Sequence, residues 1–107
     1  MSYERGVELI RAGAYFEAHE ELEDEWRAAE PAERDFLQGL VHVAVAWYQA
    51  GRGRPVATAS QLAKAARRLA PFAPAHRGVD VAEVLAQVER ARAIVAGGSL
   101  ALPPPLL

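Results

Sequence analysis

The stretch YFEAHEELEDEW, from Tyr15 to Trp26, has the periodicity of an amphipathic helix and is the strongest indication of a helical fold. At 100° per residue most of its apolar side chains gather on one stripe, with Phe16 at the border, and most of its carboxylates point away from that stripe. His19 falls on the apolar stripe and Glu23 at its border, so this pair must be satisfied close to the core. The stretch therefore predicts a helix with a solvated acidic face and one titratable pair near its packed face.

The rest of the chain contains the start and stop signals of a series of helices. No window shows the alternation of β-branched and polar residues that is typical of strands, whereas glycine, proline and capping residues recur at helix-like intervals. We therefore predict an all-α fold, a compact single-domain bundle of about five helices paired as antiparallel hairpins. The predicted helices cover approximately residues 3–12, 15–29, 32–50, 55–70 and 81–96.

The third predicted helix is the most apolar, and we expect it to lie at the centre of the bundle. Trp26 and Trp47 fall on apolar stripes, so we expect both to anchor the core. We assign residues 1–96 to the helical bundle domain and residues 97–107 to a proline-rich tail, which cannot be helical. The tail is either frayed or laid against the surface, and its leucines could dock on a neighbouring subunit.

Composition narrows the classes of function. The 107 residues leave room for one domain, and a net charge of −2 gives no long-range attraction to nucleic acid or acidic lipid. No apolar run approaches the roughly 20 residues that span a bilayer, and the N-terminus lacks the apolar stretch of a signal peptide. The absence of cysteine excludes disulfides, a thiolate nucleophile and cysteine-based metal sites. We expect a cytoplasmic protein that binds neither membrane nor nucleic acid, and self-association into a homo-oligomer stays open.

The acidic helix carries the one motif with candidate chemistry. The order His19-Glu20-x-x-Glu23 resembles the zinc-protease motif HExxH, in which two histidines bind the metal and the glutamate activates water. Here Glu23 replaces the second histidine, and a carboxylate can also ligate a divalent metal. The motif can thus supply two metal ligands, with Glu20 as a candidate general base.

A partner for this pair is predicted on the third helix. Gln38 and His42 lie one helical turn apart on its polar stripe, and we expect them to meet His19 and Glu23 between the second and third helices. Three of these side chains, His19, Glu23 and His42, could hold a single divalent metal. The alternative is that the four residues form a structural cluster of hydrogen bonds that fixes how the two helices pack.

Several blocks of the sequence together form a recognisable pattern. The blocks are Gly13, residues 15–20 (YFEAHE), Glu23, residues 26–27 (WR), residues 36–40 (FLQGL), residues 52–53 (RG) and residues 78–80 (GVD). In order and spacing they resemble the small bacterial and archaeal helical proteins grouped as domain-of-unknown-function family 309. The resemblance covers residues of about 3–96. It implies a compact helical bundle of about this length with no assigned biochemical role.

The resemblance also bears on single positions. His19, Glu20 and Glu23 match the histidine and glutamates of the family pattern, and Gln38 matches the glutamine of its Gln–Gly pair. The family more often has glutamine at the position of His42 and asparagine at that of Arg54. The resemblance therefore does not imply a metal that requires the His42 side chain.

Two classes of function follow from these residues. The first is a small binding or interaction domain in which the polar cluster is mainly structural. The second is a metal-dependent or small-ligand hydrolase-type enzyme that uses His19, Glu23 and His42. Convergence of the candidate residues around an accessible cleft would favour the second class.

Overall fold

The computed structural model describes residues 2–107, with side chains from Tyr3 onward. Within these residues it contains five α-helices, one short 3₁₀ turn at Ala70–Phe72 and no β-strand, which confirms the all-α prediction. Each helix boundary lies within one residue of the predicted position. The helices are α1 (Ser2–Arg11), α2 (Tyr15–Ala28), α3 (Pro31–Gly51), α4 (Pro55–Leu69) and α5 (Val81–Ala96).

Each helix packs against the next one along the chain. The connections that join α1 to α2, α2 to α3 and α3 to α4 have only two or three residues, so these neighbours pair as antiparallel hairpins. The longest helix, α3, packs between α2 and α4 and contributes the largest share of buried residues, as its apolar sequence predicts. No helix in residues 2–107 combines the length and the apolar character that crossing a membrane needs.

Local sequence explains where the helices begin and end. Gly13 has a φ of 79°, which permits the left-handed turn that closes α1. In that turn the Gly13 N–H donates to the Ile10 carbonyl at 3.0 Å and the Ala14 N–H to the Leu9 carbonyl at 2.9 Å, the two bonds of a Schellman motif. At the start of α5, the Asp80 carboxylate accepts the Glu83 N–H at 3.0 Å, the cap that the spacing of these two residues predicts.

Gly39 lets α3 and α4 approach each other closely. A Cβ atom at this position would lie 2.5 Å from Cδ2 of Leu69, well inside van der Waals contact. Leu69 is fully buried, so it has little free space into which it could move. The glycine of the FLQGL block is therefore needed for the packing of this helix pair.

The C-terminal tail lies against the helices of its own chain. The indole N–H of Trp47 donates to the Pro103 carbonyl at 2.9 Å, and Pro105 is buried. Leu107 packs against the core, whereas Leu106 is 72% exposed. Of the two alternatives for the tail, the structure shows the one in which it is laid against the surface.

Candidate functional site

Helix α2 holds the predicted pair together at the protein surface. Ala18 and Leu22 are buried against the core, while the side chains of His19 and Glu23 are 21% and 35% exposed. The His19 Nε2 atom lies 3.2 Å from Oε1 of Glu23, as their spacing of one helical turn predicts. The pair thus lies at the rim of the packed face, where both side chains can reach solvent.

The second ring nitrogen of His19 is also engaged. Its Nδ1 atom lies 2.5 Å from the carbonyl oxygen of Phe16, which can only accept a hydrogen bond. Nδ1 therefore carries a proton and donates it to Phe16. The other ring nitrogen, Nε2, faces the Glu23 carboxylate. The bond from Nδ1 to the Phe16 carbonyl fixes the orientation of the ring.

An aromatic patch adjoins His19. The Phe16 ring is 45% exposed, and its centroid lies 4.9 Å from that of His19 in an edge-on arrangement and 5.4 Å from that of Tyr48 on α3. Arg52 donates to the Tyr48 hydroxyl at 2.8 Å and lies over the Tyr48 ring. Part of the Phe16 ring is therefore exposed to solvent, and the rest packs on the rings of His19 and Tyr48, which restricts its motion.

Phe16 also borders a surface depression of about 270 Å³, hereafter the Phe16 depression. The residues that line it, all from α2, are Phe16, His19, Glu20, Glu23, Asp24 and Arg27. Three carboxylates face one guanidinium, and that guanidinium is held at 2.8 Å by Asp24. The depression therefore offers an apolar ring beside uncompensated negative charge.

Phe16 was not among the predicted site residues, although the sequence does contain a signal for it. Phe16, Glu20, Glu23 and Arg27 follow each other at intervals of three or four residues, so they lie on one face of α2. A phenylalanine on an otherwise charged face is an apolar group that the helix does not bury. Its exposure could have been predicted from this spacing.

The residues predicted on α3 face a different neighbour. His42 is only 8% exposed, and its Nδ1 atom lies 2.7 Å from Oε1 of Gln61 on α4. Because an amide oxygen accepts, Nδ1 is the donor. Burial lowers the pKa of His42, the hydrogen bond to Gln61 opposes that change, and the nearby cations of α4, with Lys64 foremost, lower the pKa further. His42 is therefore a neutral histidine at the α3–α4 contact.

The structure does not join the four predicted residues in one cluster. His19 and Glu23 bond to each other and His42 bonds to Gln61, while the buried Oε1 atom of Gln38 has no hydrogen-bond partner in residues 2–107. Over the same residues, no group of three His, Asp or Glu side chains is arranged to hold a metal ion. The predicted ligand set of His19, Glu23 and His42 therefore has no convergent geometry here.

A second titratable cluster, which the sequence did not predict, fastens the loop before α5. The Nε2 atom of His76 lies 2.9 and 3.0 Å from the two carboxylate oxygens of Glu33 on α3. The guanidinium of Arg77 stacks 3.9 Å from the Tyr3 ring centroid, and the Tyr3 hydroxyl donates to the Arg77 carbonyl at 2.9 Å. His76 and Glu33 lie 43 residues apart along the chain, and Tyr3 and Arg77 lie 74 apart, so local sequence patterns do not predict these contacts. Their evident role is to attach the loop to α1 and α3.

Comparison with known proteins adds a family match. The family model described as a domain of unknown function, DUF309, matches residues 3–60. The match spans α1 to α3 and the start of α4, so it includes the whole Phe16 depression. No curated protein and no solved structure matches the chain.

Proposed function

We propose that this chain, which belongs to the DUF309 family of domains of unknown function, is a protein-binding module whose recognition surface is the Phe16 depression. The partner that fits this surface is a basic peptide segment, with arginine as its best anchor. We further propose that the module acts in the cytoplasm, a setting that a cysteine-free sequence suits.

The proposal is based on the exposed Phe16 ring, which lies beside three carboxylates. A guanidinium can stack on an aromatic face while its N–H groups donate to carboxylates, a combination that an ammonium or an apolar side chain matches less well. Glu20 and Glu23 line the depression together with Phe16. The site therefore provides both kinds of contact that an arginine side chain makes.

The charge distribution of the whole chain also supports a basic partner. Helix α2 carries six carboxylates and one arginine, whereas the complete chain has a net charge of only −2. The negative charge is therefore concentrated on the element that holds the depression. A local field of this kind attracts basic segments and raises their association rate at low ionic strength.

A second copy of the chain is one source of such a segment. Helix α4 carries Lys64, Arg67 and Arg68 and no acidic residue. Contact between α4 of one copy and α2 of another would give the homo-oligomer that the sequence left open. Light scattering at increasing protein concentration distinguishes this case from binding to a different protein, because only the former raises the mass of the isolated chain.

A titration with a defined basic peptide tests the proposal. The probe is a nine-residue peptide of alternating arginine and alanine, and the control peptide has glutamate in place of arginine. We expect the basic peptide to shift amide resonances of residues 16–27 in an isotope-labelled sample, with affinity that falls as salt is added. The acidic peptide should leave these resonances unchanged.

Matched variants separate the depression from the general charge of α2. Glu20→Gln combined with Asp24→Asn removes two charges that line the depression, and Glu17→Gln combined with Glu21→Gln removes two charges of the same helix outside it. We expect the first pair to weaken peptide binding about tenfold and the second pair to change it less than about threefold. Equal weakening by both pairs would show that only net charge matters and would refute the site.

A further inference from the structure

The C-terminal tail occupies a groove with specific contacts, and this groove shares no lining residue with the Phe16 depression. It runs between α3 and α5 and is hereafter the tail groove. The body of the protein lines it with Trp47, Glu83, Gln87, Arg90, Ala91 and Ile94. Trp47 donates its indole N–H to the carbonyl of Pro103 at 2.9 Å.

Gln87 makes two hydrogen bonds to one residue of the tail. Its Nε2 atom donates to the Leu106 carbonyl at 2.9 Å, and its Oε1 atom accepts the Leu106 N–H at 2.6 Å. Gln87 is buried, so both ends of its amide need partners. The side-chain amide thus bonds to both main-chain groups of one residue, as a neighbouring β-strand does.

These contacts select a class of peptide rather than this particular tail. They involve carbonyl and N–H groups of the tail backbone, together with the buried ring of Pro105. Proline fixes its own φ and holds the preceding residue extended, so a proline-rich segment loses little conformational entropy on binding. Any segment with a proline and a free N–H at the corresponding positions can make the same bonds.

We propose that the tail groove is a binding site for an extended, proline-rich segment of another protein, and that the tail of this chain occupies it as an intramolecular competitor. A cavity of about 170 Å³ remains between tail and body, so the groove can accept larger side chains than those of the tail. Because a tethered competitor acts at an effective concentration of roughly millimolar, the closed tail weakens the apparent affinity for a partner.

The probe for this site is a synthetic peptide with the sequence of residues 100–107, LALPPPLL, added to the full-length protein. The indole N–H resonance of Trp47 reports on the groove, and a Trp26→Phe variant identifies it among the two tryptophans. Pro105→Asp in the full-length chain places a carboxylate at a buried position and should release the tail. We expect the peptide to bind this variant at least about tenfold more tightly than the wild type.

Two controls tie that gain to the groove. Gln87→Leu, added to the Pro105→Asp chain, removes both hydrogen bonds to the peptide and should reverse the gain. The same peptide with aspartate at the position of Pro105 should not shift the Trp47 resonance. If Pro105→Asp does not fold, Leu106→Pro releases the tail more gently, because it removes the N–H that Gln87 accepts without placing a charge at a buried position.

Two results would overturn the proposal. One is a folded, tail-released variant whose Trp47 resonance does not respond to the peptide. The other is a wild-type protein whose mass doubles with concentration and whose Pro105→Asp variant stays monomeric. That second result would show that the tail serves for exchange between two copies of this chain and not as a competitor for a partner.

Discussion

His42 is a buried histidine near the cations of α4. This environment makes the free energy of unfolding depend on pH. Burial holds its pKa below the usual value of about 6.5, so the unfolded chain takes up this proton at a higher pH than the folded protein does. The free energy of unfolding should therefore fall as pH is lowered through the unfolded pKa toward the lower folded one. The stability that His42 contributes is fully present above that window.

Replacement of this histidine tests the assignment. His42→Gln removes the titrating group and leaves an amide that can still bond to Gln61. We expect the fall in unfolding free energy between pH 7.5 and pH 5.5 to be smaller in the variant than in the wild type. Urea unfolding at the two pH values measures it. If the two proteins lose the same stability, the fall comes from groups other than His42.

At the scale of elements, the contact between α3 and α4 depends on a missing side chain. Gly39→Ala would place a methyl group 2.5 Å from the buried Leu69, so the helices or the leucine must move. Overpacking of this kind costs about 1–3 kcal/mol, of which the better helix propensity of alanine returns up to about 1 kcal/mol. With the full return subtracted, we expect a net loss of about 0–2 kcal/mol in the free energy of unfolding.

The same helix provides the control for this prediction. Gly51 lies at the exposed end of α3, and a Cβ atom there would meet nothing within 4 Å. Gly51→Ala should therefore leave stability unchanged or raise it slightly. Urea unfolding of the two variants compares them directly. Equal stability of Gly39→Ala and Gly51→Ala would contradict the close packing of α3 on α4.

For the molecule as a whole, the sequence predicted those features of the fold that depend on residues close together along the chain. Helix boundaries follow from local punctuation, such as Gly13 after α1 and Asp80 before α5, and the His19–Glu23 contact follows from a spacing of four residues. The neighbour of His42 depends instead on how α3 is rotated between α2 and α4. We expected His42 to meet His19 and Glu23 of α2, whereas the structure places it against Gln61 of α4, because helical periodicity does not fix that rotation.

Contacts between residues far apart along the chain could not be predicted from local sequence patterns either. The Trp47–Pro103 bond joins residues 56 positions apart, and a proline-rich tail carries no periodicity that reveals its docking site. Exposure of Phe16 could have been predicted, but a depression beside it requires the positions of real side chains. The sequence therefore predicted the His19–Glu23 pair on α2, whereas the depression beside that pair is seen only in the structure.

The proposed binding of basic peptides by α2 depends on the Phe16 ring, so the affinity of Phe16→Ala for the arginine–alanine peptide tests it. Phe16 is 45% exposed and packs on His19 and Tyr48, so its loss should lower the melting temperature slightly and leave the protein folded. Calorimetric titration should show about tenfold weaker binding, because a cation–π contact at a partly desolvated site contributes about 1–2 kcal/mol. A folded Phe16→Ala variant that binds the peptide as tightly as the wild type would contradict peptide recognition by Phe16.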